Sequence, residues 1–192
     1  MDWEELWKSG NIPWDLNGPS PPLLEYLRGK GRLGDSVLVP GCGSGHDLRV
    51  LSAHYDHVVG MDISESAVSA ATDNARGIDN VTCILGNFFT FKHNSYDAVF
   101  DYTFFCAIPV EKRSEWGRVM RRIVGKKLLI IAFPIGTANL ERPPYPVTVS
   151  NYQQALGDEF EITHLNETPD SHPSRLGKEM MVVFSRRHPI GY

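Results

Sequence analysis

The chain has 192 residues, of which 42% are hydrophobic and 22% charged, with a net charge of -4. That length allows one domain with a real core, and the ordinary composition excludes a disordered or fibrous chain. The slight negative charge offers no global field for nucleic acid or an anionic membrane. Three cysteines, Cys42, Cys83 and Cys106, lie far apart with no C-x-x-C pair. This argues against a disulfide framework and a zinc site, and fits reduced thiols in the cytoplasm. The histidines show no H-x-x-x-H spacing, so no metal is expected. The acidic start Met1–Glu5 has no apolar run of a secretory signal. The apolar run Leu128–Phe133 is too short to span a bilayer.

In chain order, Asp2–Lys8 reads as a short helix with Trp3 and Trp7 one turn apart. Asn11–Pro22, rich in proline, must be a loop, and Leu23–Arg28 a helix. A strand at Ser36–Val39 leads to a helix at His46–His54 and a second strand at His57–Met61. Ser64–Asn74 is a helix with Ser64 as N-cap, though the box Ser64-Glu65-Ser66-Ala67 lacks the usual glutamate. Strands follow at Val81–Leu85 and Tyr96–Asp101, a helix at Glu111–Ile123 and a strand at Leu128–Phe133. After Pro134 come a proline-rich loop, a helix near Ser150–Leu156, and strands at Phe160–Leu165 and Glu179–Ser185. The alternation implies a parallel sheet with helices on both faces. The last two strands, with no good helix between them, suggest an antiparallel hairpin at one edge. All of 1–192 is read as a single domain.

The turn Pro40-Gly41-Cys42-Gly43-Ser44-Gly45 lies directly after the first strand. Glycine allows positive φ and a close backbone approach to a ligand. Alone it is weak evidence, because a tight structural turn looks the same. Asp62 ends the second strand about 20 residues later, the usual place for a carboxylate that binds ribose hydroxyls. The third glycine comes one residue too early for G-x-G-x-x-G, and G-K-[ST] is missing. A shortened turn suits a nucleoside cofactor without a pyrophosphate, as S-adenosylmethionine is.

The chain also resembles the thiopurine methyltransferase superfamily, and within it the halide/thiol methyltransferases of plants and fungi. The matching residues are Trp3, Trp7, Pro13-Trp14-Asp15, Val39–Gly45, Val58–Ser64 and Phe88-Phe89. Phe100–Ile108 with Arg113 and Trp116 is the most specific stretch, and Phe133-Pro134 and Pro143-Pro144-Tyr145 complete the set. The resemblance implies a class I methyltransferase fold, α/β and Rossmann-like, with seven strands, an antiparallel edge hairpin and a helical cap over the cofactor formed by residues 1–30. It implies that Trp3, Trp7 and Trp14 close over S-adenosylmethionine, held on Gly41, Gly43 and Gly45. Gly41 would meet the methionine end, Asp62 the ribose, Asn87 and Phe88 the adenine, and Tyr102 the cofactor beside the fourth strand. Tyr145 and Arg113 are the candidate catalytic residues on the acceptor side. Asn87 departs from the pattern, since the family usually has aspartate there; its carbonyl can still accept from the adenine amine, without charge.

The expected chemistry is in-line attack of a soft anion on the sulfonium methyl. The acceptor would be a small thiol, a hydrosulfide or a halide, and the protein a monomer without nucleic-acid or membrane partners. A thiol is partly ionised at neutral pH, so no strong base is required. Phe104, Phe105, Ile108 and Tyr145 would form an apolar wall. Thiopurine acceptors, oxygen or nitrogen acceptors, a nicotinamide reductase and a non-catalytic cofactor-binding partner are the alternatives. Cys42 and Cys106 have no histidine near them in sequence and are not expected to act as nucleophiles. Arg186-Arg187-His188 reads as a solvated terminus.

Overall fold

The computed structural model describes residues 1–92, 94–136 and 141–188, so part of the loop expected after Pro134 lies outside the described residues. The helices are α1 (Trp3–Lys8), α2 (Pro21–Leu27), α3 (His46–Leu51), α4 (Glu65–Asn74), α5 (Arg113–Ile123) and α6 (Val149–Leu156). The strands are β1 (Gly34–Pro40), β2 (Tyr55–Asp62), β3 (Val81–Leu85), β4 (Tyr96–Tyr102), β5 (Val124–Ala132), β6 (Phe160–Asn166) and β7 (Met180–Arg186). They form one sheet of order β3-β2-β1-β4-β5-β7-β6. The first five strands are parallel, and β7 runs antiparallel to both β5 and β6. The closing hairpin is therefore present, with β6 on the edge and β7 inserted beside β5.

Both faces of the sheet are covered, which is why β4 is buried from Tyr96 to Asp101. Alternate residues serve opposite faces. Val99, Leu128 and Ile130 pack with Phe105, Trp116 and Tyr152 beneath α5 and α6. Phe100, Leu129 and Ile131 pack with Leu23, Leu27, Leu48 and Leu51 of α2 and α3.

Three local expectations change. The helix begun at His46 stops at Leu51, where bonds from Ala53 N–H to Val50 and His54 N–H to Leu51 tighten the chain into β2. Val124–Lys127, left between the expected helix and strand, is the first half of β5: Val124 pairs with Tyr96 and Lys127 with Ala98, so α5 runs straight into the strand. Arg186 is not solvated. Its side chain is 7% exposed and donates to Val124 O, Arg121 O and Glu159, which satisfies carbonyls at the end of α5.

α5 and α6 approach backbone to backbone at Gly117. A Cβ there would stand 2.0 Å from Ala155 O. Glycine to alanine inside a helix normally gains about 1 kcal/mol. Here the sign reverses: Gly117→Ala is expected to lose about 2–3 kcal/mol through overpacking, read as a lower midpoint in thermal denaturation.

Candidate active site

In an open parallel sheet, ligands lie outside the carboxyl ends of the strands at the switch in strand order. Here that place is between β1 and β4, where Gly41, Gly43 and Gly45 have φ of 61°, 54° and 73°. Gly41 is required twice over, since a Cβ would also lie 2.6 Å from the Phe104 ring. Asp62 braces the turn: one oxygen accepts Gly43 N–H and the other Ser64 N–H, both at 3.0 Å. Burial raises its carboxyl above the usual range, against the backbone N–H groups of Ser64, Gly43 and Ile63. A carboxylate has about four acceptor positions, so capacity remains for a ribose hydroxyl. Ile63, next in sequence, is 53% exposed at the ligand end of the sheet. It offers an apolar face for a base, and the sequence reading passed over it.

The N-terminal segment lies on this turn. Trp7 faces Gly43, and Trp3 meets Trp14 edge to face with centroids 5.4 Å apart. All three rings are half-buried, whereas Trp116 is sealed in the core, so core packing does not account for the cap tryptophans. Three side chains pin the segment down. Glu4 accepts from Ser64 Oγ at 2.6 Å and from Ser66 N–H and Oγ at 3.1 and 2.8 Å. The helix α4 has unpaired N–H groups at this end, and Glu4 supplies from α1 the acid its own capping box lacks. Asp15 accepts from the Ser44 hydroxyl and lies 3.1 Å from His46 Nε2, bridging to both sides of Gly45. Arg175 donates to Trp14 O at 2.7 Å.

The Ser64 hydroxyl, followed by Ser66, holds the Glu4 carboxyl down to about 2 from 4.5. A depressed pKa contributes stability above the unfolded value and loses it as pH falls through the folded one. Docking of α1 should therefore be intact above about pH 4.5 and fade towards pH 2. Tryptophan fluorescence should follow this in the wild type, and Glu4→Gln should lack that acid step; matching profiles would contradict the assignment.

The other wall starts at the end of β4. Asp101 is 1% exposed and accepts Phe105 N–H at 3.1 Å and Trp116 Nε1–H at 3.0 Å. Burial pushes its carboxyl up to about 7 against those bonds. It thereby fixes the turn carrying Phe104 to α5, which begins at Arg113. Thr103, between them, is held at φ 60°, a strained setting for a β-branched residue. Arg113 is 8% exposed, donates to Pro146 O at 3.2 Å and lies 4.7 Å over the Phe105 ring. Its Nε is buried with no partner among the described residues. Tyr145 N–H donates to Cys106 O at 2.7 Å, which lays the Pro143–Tyr145 loop against the same segment. Arg113 and Tyr145 thus belong to one corner of the molecule.

Phe88 is buried and packs edge to face on Phe104 and Phe89. Asn87 is exposed, and its Oδ1 already accepts Phe89 N–H at 2.9 Å. The Tyr102 hydroxyl donates to Glu179 Oε1 at 2.5 Å and accepts from Arg175. Arg175 and Glu179 were missed in sequence, where Glu179 stood only as the first residue of the last strand. Burial pushes the Cys106 thiol up to about 12 and Cys42 well above the usual thiol range, which leaves both inert at neutral pH. Among the described residues no group of three or more His, Cys, Asp or Glu is placed to hold a metal ion, and no helix is long and apolar enough to cross a membrane.

A seven-stranded sheet with β7 reversed beside β5, a left-handed glycine turn after β1 and an acid ending β2 is the fold of a class I S-adenosylmethionine-dependent methyltransferase. The crystal structure of an S-adenosylmethionine-dependent methyltransferase from Anabaena variabilis superposes with a TM-score of 0.70 at 18% identity, covering 96% of this chain and 93% of that one. Residues 1–189 match the thiopurine S-methyltransferase family model, and the chain belongs to that family. It is 36% identical over 187 residues to thiocyanate methyltransferase 1 of Brassica oleracea, covering 93% of this chain and 82% of the relative. It is 36% identical over 160 residues to a probable thiol methyltransferase 2 of Arabidopsis thaliana, covering 80% and 70%.

Proposed function

We propose that this protein transfers a methyl group from S-adenosylmethionine to a small sulfur nucleophile taken as its anion, a thiolate or hydrosulfide. The observation that carries the reading is Arg113: a sealed guanidinium on an aromatic floor, bonded only to a backbone carbonyl among the described residues. A buried cation without a carboxylate suits an anionic ligand. The names of the plant relatives support a sulfur acceptor for the family.

The residues present fit the cofactor. A cradle that a Cβ at Gly41 would fill, the acceptor capacity left on Asp62, and exposed Ile63, together with Asn87 and Phe88 after β3, suit methionine, ribose and adenine in turn. Trp3, Trp7 and Trp14 cover them, and aromatic faces attract a sulfonium. Gly43 and Gly45 shape the turn, and Tyr102 steadies the β4 end. When bound, the cofactor supplies a methyl already activated by positive sulfur. The protein's share is then alignment and exclusion of water. Phe104, Phe105 and Ile108 keep water out, Arg113 holds the acceptor's charge, and Tyr145 offers a hydroxyl. No side chain need take a proton from an acceptor that arrives ionised.

In this reading residues 1–192 are one domain capped by 1–30, and the protein acts as a cytoplasmic monomer without nucleic acid or membrane. The free cysteines and negative net charge support it. With labelled S-adenosylmethionine, purified protein should convert hydrosulfide to methanethiol, thiocyanate to methyl thiocyanate, or a small aryl thiol to its methyl sulfide. Turnover of a halide or a thiopurine alone would redirect the acceptor. Cofactor binding with no product from any acceptor would sink the enzymatic reading.

A further inference from the structure

We propose that Glu179 is the site for the α-ammonium group of the cofactor's amino-acid end. The assignment rests on the S-adenosylmethionine reading above and adds a residue from the approach to β7.

Behind the glycine turn lies a sealed ionic group. Glu179 is 2% exposed, and its Oε1 takes the Tyr102 hydroxyl at 2.5 Å. Its Oε2 is buried and has no donor among the described residues. A buried carboxylate oxygen left without a donor is costly, so such an atom calls for one. Arg175, 4% exposed, does not meet the need. It stands 3.7 Å from Oε1 and gives its hydrogen bonds to the Tyr102 hydroxyl and Trp14 O, with its guanidinium against the Tyr102 and Phe133 rings at 4.9 and 4.3 Å.

The charge count agrees. Asp47, the second residue of α3, lies in the fields of His46 and Arg175 and acts on Tyr102. His46 is already placed against Asp15, 3.1 Å away, and Asp47 Oδ1 is bonded by neutral donors, Ser20 N–H and Oγ, both at 2.8 Å. Among the described residues one guanidinium therefore faces the two carboxylates of Asp47 and Glu179, and the group is one cation short. With no metal-holding cluster among the described residues, an organic ammonium is the fitting cation. The position fits as well. Tyr102 is two residues before Phe104, which touches Gly41, Asp47 is two residues after Gly45, and Arg175 holds the backbone of Trp14. The group thus adjoins the end of the turn at which the methionine portion is placed.

The test is calorimetric, on the full chain. S-adenosylhomocysteine carries both the ammonium and the carboxylate, decarboxylated S-adenosylmethionine keeps only the ammonium, and 5′-methylthioadenosine has neither. Glu179→Gln should weaken the first two by roughly 30-fold, the scale of a charged hydrogen bond, and leave the third within about twofold. Unchanged affinity for S-adenosylhomocysteine overturns the assignment. An equal loss for all three also overturns it, since Glu179 would then only hold the cap. If the variant does not fold by circular dichroism, the wild type decides: S-adenosylhomocysteine must bind at least about tenfold more tightly than its deaminated analogue, and equal affinity overturns the proposal. A wild type that binds none of these ligands removes the cofactor reading itself, and this site with it.

Discussion

Arg113→Met should lower kcat/KM for an anionic sulfur acceptor about 100-fold while the affinity for S-adenosylhomocysteine stays the same. The figure follows from about 3 kcal/mol for a hydrogen-bonded charge taken out of water. Methionine keeps most of the volume over Phe105 and removes the charge, so the apolar packing of α5 survives. The loss should fall mainly on KM if Arg113 binds the acceptor before reaction, and on kcat if it only aligns it. Arg113→Lys should recover only part of the activity, because lysine lacks the planar fork that reaches Pro146 O and lies flat on the ring. A thiol assayed well below its pKa should lose by the same factor as thiocyanate, because only its thiolate fraction is taken up. If the Met variant turns over thiocyanate at the wild-type rate, the anion role of Arg113 is wrong.

Gly41→Ala should weaken S-adenosylhomocysteine binding more than about 100-fold. Two costs add. The left-handed φ of 61° disfavours any residue with a Cβ by about 1–2 kcal/mol, and the added carbon stands 2.6 Å from the Phe104 ring. Phe104 cannot retreat freely. It is packed edge to face on Phe88, and the Asp101 carboxylate holds the next residue's N–H. The turn must therefore move instead, and it carries the Asp62 brace with it. Isothermal calorimetry measures the loss directly, and a thermal melt without ligand separates it from global unfolding. Gly43→Ala is the useful comparison: its φ is also positive, but the new Cβ would meet only Trp7 at an ordinary 3.5 Å. It should bind more tightly than Gly41→Ala, and the reverse order would put the clash argument in doubt.

Much of the frame was legible beforehand. Val37–Val39, Val58–Met61 and Ala98–Phe100 are short unbroken apolar runs, and the centre of a strand buried on both faces has to look that way. The glycine turn and Asp62 were legible because their chemistry is local: a backbone that needs φ above zero, and an acid where the next strand ends. Element ends were less so. Val124–Lys127 contains a glycine and two lysines and falls outside the expected strand; only the pairing with Tyr96 and Ala98 makes it a strand. Arg186 reads as a solvated charge because sequence does not reveal that the open carbonyls at the end of α5 lie beside it.

Fold class, the cofactor turn with its acid, and the family could be read along the chain, because each is carried by short runs of neighbouring residues. The long-range pairings came from folding. Glu4 caps a helix 60 residues away, Arg175 holds Trp14 across 161, and Tyr102 joins Glu179 across 77. A charged side chain finds its partner by burial and geometry, and neither quantity has a signature in local periodicity. For the same reason Arg113 could be named from its neighbours in sequence, while its lack of a carboxylate partner among the described residues emerged only once α5 was packed against Phe105 and the Tyr145 loop.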